Sequence, residues 1–304
     1  MMKKCEITIG IPIFNGEKKI DERIKEILSQ TYQDFCIIIS DNGSTDATRK
    51  ICENLSKMHD RITFFHHKEN IGVFWNFNFL LNHVETEYVV IAPLDDIWSK
   101  NFLESNINIL ENSKEIVGSI GECSLFNRIL APKTNRYKKH IIPNKKKYQY
   151  VYPFKGNLEE KIKSCLDFSM GTQIYSVFRT DDLKFASFYK HDGTHGMWQT
   201  DLATILKILK KGNLHVDTES FFYKEVSQTS HSLIKYMKII NFSTREIIFS
   251  KIIFSTWFLK EFGLKLFFKN FPILFISQIK WIRSITGEAL RISKRTMTGQ
   301  EKYW

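Results

Sequence analysis

Short apolar runs alternate with amphipathic segments over the first 110 residues of the chain. Strand-like runs occupy residues 6–11, 35–40, 62–65 and 88–92. Segments with apolar side chains at helical spacing occupy residues 17–30, 46–57 and 73–83. The resulting βαβαβαβ order predicts an α/β fold, with a mostly parallel sheet and helices on both of its faces.

Polar loops follow three of these predicted strands, at residues 12–17, 41–46 and 93–98. Ligands of parallel sheets bind beyond the carboxyl ends of the strands, so these loops are the first candidates for a binding site. No GxGxxG motif follows the first strand, and GxxxxGK[ST] does not occur in the chain. The sequence therefore argues against the dinucleotide-binding and P-loop classes.

Carboxylates in two of these loops suit metal or nucleotide binding. Asp95 and Asp96 directly follow the fourth predicted strand, and Mg²⁺ and Mn²⁺ prefer such oxygen ligands. The alternative is that one of them caps the next helix. Asp41 ends the second predicted strand, where it can accept hydrogen bonds from a base or a ribose. The alternative there is an ordinary turn between a strand and a helix.

Five segments appear in a characteristic order: residues 11–17 (IPIFNGE), 29–35 (SQTYQDF), 41–46 (DNGSTD), 70–72 (NIG) and 94–98 (LDDIW). This series closely resembles the family 2 glycosyltransferases of GT-A fold. The resemblance is strong over residues 5–110 and weaker over 170–232. It implies an inverting transfer of a sugar from a nucleotide-diphosphate sugar to an acceptor hydroxyl, with Mn²⁺ or Mg²⁺ as cofactor.

The resemblance also implies roles for individual residues. The expected nucleotide-sugar-binding residues are Pro12, Phe14, Asn15, Glu17, Asp41, Asn70, Asp95 and His231. Asp95 falls at the metal-binding Asp of the family's DxD motif, and Asp96 lies beside it, so both are expected metal ligands. The first Asp of that motif would lie at Pro93, whose side chain cannot bind a metal or a ribose.

Residues 198–202 (WQTDL) resemble the family's segment that carries the general base, which makes Asp201 the expected catalytic residue. An inverting transfer needs one base to take the proton of the acceptor. The alternative is that Asp201 only favours the start of a helix. The polar-loop residues His191, His195, His231 and Lys224 either contact the acceptor or the diphosphate, or are exposed to solvent.

Charge and cysteine content exclude several classes of protein. The net charge of +11 is concentrated in residues 133–150, with 7 Lys/Arg and no acids, and in 232–304, with 13 Lys/Arg and 4 Asp/Glu. Because the first 130 residues are not basic, a fold built around nucleic acid is not expected. The five cysteines are scattered and never spaced as CxxC. That pattern argues against a disulfide framework or a zinc site and favours buried free thiols.

Residues 232–304 form a basic, aromatic and helical extension in this reading, and residues 1–231 form the GT-A domain. Such an extension can lie on a membrane surface, with apolar groups in the interface and Lys/Arg on anionic headgroups. It can equally pack on the catalytic domain. No secretory signal or bilayer-spanning run is evident, so the expected location is the cytoplasm, including the inner face of the cell membrane.

The sequence is compatible with three functions. The first is the metal-dependent enzyme, acting in the synthesis of a polysaccharide, a lipid-linked glycan or a glycoprotein glycan. The second is a nucleotide-sugar-binding protein without turnover, which Pro93 favours. The third is a peripheral membrane-binding or nucleic-acid-binding protein that depends on the basic extension. The expected partners are a nucleotide-diphosphate sugar, a glycan or lipid-linked acceptor and a membrane surface.

Overall fold

The computed structural model describes residues 5–130, 137–142, 151–168, 171–187, 200–225 and 244–297. These residues fall into two compact units. One unit lies within residues 1–190 and 204–227, and the other within residues 191–203 and 228–304. The predicted domain boundary after residue 231 lies outside the described residues and stays a prediction.

Four parallel strands form the predicted nucleotide-binding half of the sheet. The strands are β1 (Ile7–Ile13), β2 (Phe35–Asp41), β3 (Ile62–His66) and β4 (Tyr88–Ile91). The helices that connect them are α1 (Ile20–Leu28), α2 (Thr48–Met58) and α3 (Val73–Asn82). Strand β1 lies between β2 and β4 and pairs with both in parallel. Every residue of β2 is buried, as its continuous apolar run predicts.

The remaining strands complete one mixed sheet in the order β3-β2-β1-β4-β8-β6-β9-β5, with β7 paired to β6. These strands are β5 (Ile97–Trp98), β6 (Ile116–Leu130), β7 (Tyr137–Ile142), β8 (Val177–Arg179) and β9 (Asn213–Glu225). The chain also forms the helices α4 (Phe102–Asn112), α5 (Leu158–Phe168), α6 (Thr180–Ala186) and α7 (Thr200–Ile208). The predicted α/β class and GT-A type are confirmed by the single mixed sheet with its connecting helices and by its match to solved glycosyltransferase structures.

Residues 173–178 (QIYSVF) have the apolar pattern of a strand, but only the end of that run is extended. Thr172–Tyr175 is a 3-10 helix preceded by Gly171 in the left-handed conformation, and β8 begins at Val177. The side chains of the 3-10 residues Thr172, Gln173 and Ile174 are buried. An apolar run of this length therefore gave the right burial and the wrong backbone conformation.

Residues 244–297 form a helical segment, α8 (Thr244–Met297), that is interrupted at Gly263 by a left-handed φ of 80°. Hydrogen bonds from Trp281 to the carbonyl of Ile247 and from Gln278 to that of Ile248 tie the two parts of the segment together. The expected helical extension is therefore present. No helix within the described residues has the length and apolarity needed to cross a bilayer.

The cysteines depart in part from the expected free thiols. Cys52, Cys123 and Cys165 are buried and unbridged, and burial raises the pKa of Cys52 and Cys123 to about 12. Cys5, two residues before β1, and Cys36 of strand β2, however, form a disulfide. Their Cα atoms lie 6.0 Å apart because the two strands pair in parallel, a proximity that linear spacing does not reveal.

Candidate active site

The loops after β1 and β2 are joined by hydrogen bonds at the carboxyl edge of the sheet. Asn15 has a left-handed φ of 49°, its amide donates to Ser44 Oγ (2.8 Å), and its side-chain oxygen accepts from the Thr45 amide (2.9 Å). Asn tolerates this backbone conformation better than most residues do. The predicted nucleotide-sugar residue Asn15 thus sets the relative position of two loops.

Glu17 lies in the same loop and reaches the start of α2. Its carboxylate accepts from the amide of Ala47 (3.0 Å), while the amide of Glu17 donates to Asp46 (3.3 Å). The Gly16 amide also donates to the Thr48 hydroxyl (2.8 Å). These reciprocal bonds satisfy amides at a helix start and hold the β1 loop against α2.

The loop after β3 is attached through Asn70. Its side-chain oxygen accepts from Asn42 Nδ2 and from the Gly72 amide, both at 2.9 Å. The side-chain oxygen of Asn42 in turn accepts from the Ile71 amide at 2.9 Å. Predicted residues after β1, β2 and β3 therefore belong to one connected set of loops.

Asp41, the last residue of β2, is fully buried. One carboxylate oxygen accepts from the amide and hydroxyl of Ser44, and the other lies 2.8 Å from His66 Nδ1. His66 ends β3 and is one-fifth exposed. A ligand here would meet the imidazole of His66 more readily than the carboxylate, and the sequence reading did not single out His66.

The two remaining predicted residues of the first loop differ in exposure. Pro12 is half-buried within β1, opposite Ser40 of β2. Phe14 is 46% exposed at the tip of the loop. An exposed aromatic ring beside a ligand loop offers a flat apolar surface on which a base can stack.

Asp95 lies in the loop after β4 and faces a lysine. The ammonium group of Lys19, at the start of α1, lies 2.5 Å from Asp95 Oδ1 and 2.8 Å from Glu225 Oε2. Burial would lower the pKa of Lys19, but its hydrogen bonds to Asp95 and Glu225 outweigh burial and raise it. The Asp95 side chain is 61% exposed and that of Glu225 13% exposed, so a cation held between them remains accessible from solvent.

Asp96 is buried behind this group. Its carboxylate accepts a hydrogen bond of 3.0 Å from the amide of Glu225, the last residue of β9. Strand β9 reaches this loop because it pairs with β5, through Trp98 and Phe222. Burial raises the pKa of Asp96 to about 6, although the hydrogen bond and the charges of Lys224 and Arg23 favour the carboxylate.

A buried arginine packs beside the loop that carries Asp96. Arg23 of α1 is 1% exposed, and its guanidinium lies 4.3 Å from the ring centroid of Trp98. Trp98 stacks on Phe102 at the start of α4, with ring centroids 4.7 Å apart. A guanidinium over an aromatic face is attracted by the ring quadrupole, and its positive charge also acts on Asp96.

Asp95 and Glu225 could supply only part of the coordination of a divalent cation, so the remaining ligands must come from elsewhere. Within the described parts of the chain, no three His, Cys, Asp or Glu side chains form a metal-binding group. Asp95 and Glu225 do converge on one positive charge, that of Lys19. Since Mg²⁺ and Mn²⁺ commonly use one or two carboxylates together with phosphate oxygens and water, the pair fits a cation shared with a diphosphate.

Asp201 lies in the first turn of α7, where its carboxylate accepts from the Leu202 amide at 2.8 Å. Burial lowers the pKa of Lys251 to about 8, and the nearby negative charge of Asp201 opposes that shift. The predicted residue His231, with His191 and His195, lies outside the described residues. Its role stays a prediction.

The residues that sequence reasoning missed have weak signals. Lys19 is one of two adjacent lysines before a helix, and Glu225 ends an aromatic run that contains Phe221, Phe222 and Tyr223. Neither residue matches a motif. Their contact depends on β9 entering the sheet beside β5, which the sequence pattern did not predict.

Comparison with known proteins identifies a family. The family model "Glycosyl transferase family 2" matches residues 8–182. An uncharacterized glycosyltransferase of Haemophilus influenzae is 26% identical over 230 residues, covering 63% of this chain and 71% of the relative. Glycosyltransferase GlyA of Streptococcus pneumoniae is 27% identical over 190 residues, covering 61% of this chain but only 26% of the relative.

Solved structures share the fold at low sequence identity. TarS 1-349 of S. aureus in complex with UDP-GlcNAc gives a TM-score of 0.60 at 16% identity, covering 85% of this chain and 68% of that one. The mannosyltransferase PcManGT of Pyrobaculum calidifontis, in complex with GDP-Man and Mn²⁺, gives 0.57 at 13% identity, covering 96% and 76%. At such identities the likeness shows the fold alone.

The loop network generates a stability prediction at Gly43. This glycine has a φ of +72°, and an added Cβ would lie 2.5 Å from the carbonyl carbon of Glu69. We expect Gly43→Ala to lower the free energy of unfolding by about 2 kcal/mol or more, as measured by denaturant titration. Gly287→Ala is the control, because nothing lies within 4 Å of its added Cβ. Equal stability of the two variants would contradict the close approach of the loops.

Proposed function

The chain belongs to glycosyl transferase family 2, and we propose that it transfers a sugar, with inversion, from a nucleotide-diphosphate sugar to an acceptor hydroxyl. The observation that carries the proposal is the pair of carboxylates, Asp95 and Glu225, that holds the Lys19 ammonium group at the carboxyl edge of the parallel strands. Ligands of such sheets bind at this edge. A negatively charged diphosphate needs positive charge at the same place.

The loops after β1, β2 and β3 are the proposed donor site. The exposed ring of Phe14 would stack on the base. Pro12 and the buried Asp41 lie near the carboxyl ends of β1 and β2, next to the same loops. Asn15, Glu17 and Asn70 keep the loops in register through the hydrogen bonds described above. The donors bound by the similar folds of TarS and PcManGT are UDP-GlcNAc and GDP-Man, which supports a nucleotide sugar as the ligand class.

Mn²⁺ or Mg²⁺ is the proposed cofactor, held by Asp95 with help from Glu225. A divalent cation at this position supplies Lewis acidity and neutralises charge on the departing diphosphate. Asp96 was also expected as a ligand, and its buried carboxylate holds the amide of Glu225. PcManGT and GalNAc-T7, which share the fold, have been solved with Mn²⁺. Pro93 adds no ligand, so the proposed site depends on residues outside the usual motif.

Lys19 and a divalent cation would occupy the same position between Asp95 and Glu225. Replacing Lys19 by Met removes the ammonium group that competes for that position, so we expect Mn²⁺ to bind about tenfold more tightly in the presence of UDP or GDP. Electron paramagnetic resonance of free Mn²⁺ measures the affinity directly. Lys18→Met is the matched control, because Lys18 is the adjacent exposed lysine. An unchanged affinity in Lys19→Met would show that the cation binds elsewhere.

Asp201 is the proposed general base. Its carboxylate would take the proton of the acceptor hydroxyl while that oxygen bonds to the anomeric carbon and the bond to the diphosphate breaks on the opposite face of the sugar. His231 is the proposed hydrogen-bond donor that stabilises the leaving diphosphate. The position of Asp201 in the first turn of a helix gives the carboxylate a rigid attachment, which supports this role.

Asp201→Asn tests the base. We expect the turnover number for sugar transfer to fall about 100-fold or more, with donor affinity retained, because the amide cannot accept the proton. Release of nucleoside diphosphate measures turnover, and titration calorimetry measures donor binding. Asp181→Asn is the control, since Asp181 is an exposed acid in the first turn of α6. Transfer by Asp201→Asn at the unmutated rate would remove Asp201 from the mechanism.

The proposed acceptor is a glycan or a lipid-linked glycan of the cell envelope. TuaG of Bacillus subtilis, named as a putative teichuronic acid biosynthesis glycosyltransferase, is 29% identical over 104 residues, covering 34% of this chain and 41% of TuaG. We propose that the protein acts in the cytoplasm at the inner face of the cell membrane. The basic charge of residues 232–304 supports contact with anionic headgroups there.

Pro93 favours one second candidate, a nucleotide-sugar-binding protein without turnover. Its missing carboxylate removes one of the two acids that the family motif supplies. The turnover assay separates the two functions. Metal-dependent release of nucleoside diphosphate supports the enzyme, whereas tight donor binding with no release on any acceptor supports the binding protein.

A further inference from the structure

One face of the second part of α8 exposes large apolar side chains to solvent. These residues recur every three or four positions, so they lie on a single stripe of the helix. The stripe consists of Leu264, Phe268, Phe271, Phe275, Ile279 and Ile282, each between 37% and 67% exposed. At 1.5 Å per residue it extends for about 27 Å. Exposed apolar patches of this size mark interaction sites.

The apolar stripe is not the face that packs within the C-terminal unit. Leu274, Trp281 and Ile285 are buried on a different face of the same helix. Trp281 Nε1 donates a 2.8 Å hydrogen bond to the Ile247 carbonyl in the first part of α8. The left-handed turn at Gly263 makes this return of the chain possible. The helix thus has one face for folding and a second apolar face that folding leaves exposed.

Basic side chains line one edge of the apolar stripe. Lys265, Lys269, Lys280 and Arg283 are all exposed. With 100° between successive residues, Lys265 and Arg283 project about 100° from the direction of Leu264. Residues 264–290 hold these four basic residues and one acid, Glu288, which gives a net charge of 4 − 1 = +3.

We propose that this stripe docks on an anionic lipid bilayer, with the helix lying in the plane of the membrane interface. Apolar rings on one face with lysines at the edge suit this position, because the rings enter the acyl boundary and the ammonium groups reach the headgroup phosphates. A second copy of the chain would bring an equally basic edge and no opposite charge. The inference deepens the proposed membrane partner and rests on that part of the proposed function.

Vesicle flotation of the full-length protein tests the surface. We expect binding to vesicles of phosphatidylcholine with about 30% phosphatidylglycerol, and weakening of that binding as salt is raised. The double substitution Phe268→Glu with Phe275→Glu should reduce affinity at least tenfold, because it places two charges in the stripe. Met58→Glu is the matched control, since Met58 is a 74% exposed apolar side chain of α2. It should bind vesicles as the unmutated protein does.

A second double variant keeps the test decisive if the double glutamate variant does not fold. Lys265→Gln with Lys280→Gln should weaken binding to the anionic vesicles and leave the weak binding to pure phosphatidylcholine unchanged. Equal binding of the unmutated protein to both vesicle types would contradict the proposal that the stripe docks on an anionic bilayer. Self-association in sedimentation velocity that Phe268→Glu with Phe275→Glu abolishes, without vesicle binding, would assign the stripe to a second copy.

Nucleotide binding separates this inference from the enzymatic proposal. Without vesicles, we expect UDP or GDP with Mn²⁺ to raise the melting temperature of the double glutamate variant as much as that of the unmutated protein. Loss of vesicle binding with retained nucleotide binding supports the docking surface. If no nucleotide binds even the unmutated protein, the sugar-transfer proposal fails. The vesicle assay still tests the docking surface, because it does not depend on nucleotide binding.

Discussion

Parallel pairing of β1 with both β2 and β4 is the constraint on which the rest of the site depends. The three strands are almost wholly buried and run in one direction, so their carboxyl ends meet at one edge. The loops that leave this edge are polar, and their hydrogen bonds to each other fix Asn15, Asp41 and Asn70 in place. The ligand edge is therefore a consequence of strand direction, not of any single motif.

Electrostatics then decides what that edge can bind. Asp95 and Glu225 place two carboxylates around one position, and Lys19 offsets one of these two negative charges. Asp96, buried behind them, supports Glu225 through its main-chain amide. Such a cluster favours a cation, and a cation in turn favours a diphosphate. In the proposed function, this arrangement of charges would let a chain with Pro93 in place of a motif carboxylate bind a nucleotide sugar.

The sequence predicted the parallel half of the fold well because its strands and helices follow simple periods and its loops carry a recognisable series of residues. Strands β6 and β9 were missed, since long strands in a mixed sheet pair with neighbours that are distant in sequence. Glu225 was missed for the same reason. The disulfide between Cys5 and Cys36 likewise depends on strand pairing. Asp95 was predicted as a site residue from its motif and stays a prediction, whereas its contact with Lys19 depends on tertiary structure.

The affinity of the protein for nucleoside diphosphates, with and without Mn²⁺, tests the central claim most directly. Titration calorimetry with UDP and GDP on the unmutated protein and on Asp95→Asn compares the two conditions. The account predicts that Mn²⁺ tightens binding of one of these nucleotides at least tenfold and that Asp95→Asn removes most of this gain. Equal affinity in all conditions, or an undiminished Mn²⁺ effect in Asp95→Asn, would contradict a cation site at Asp95.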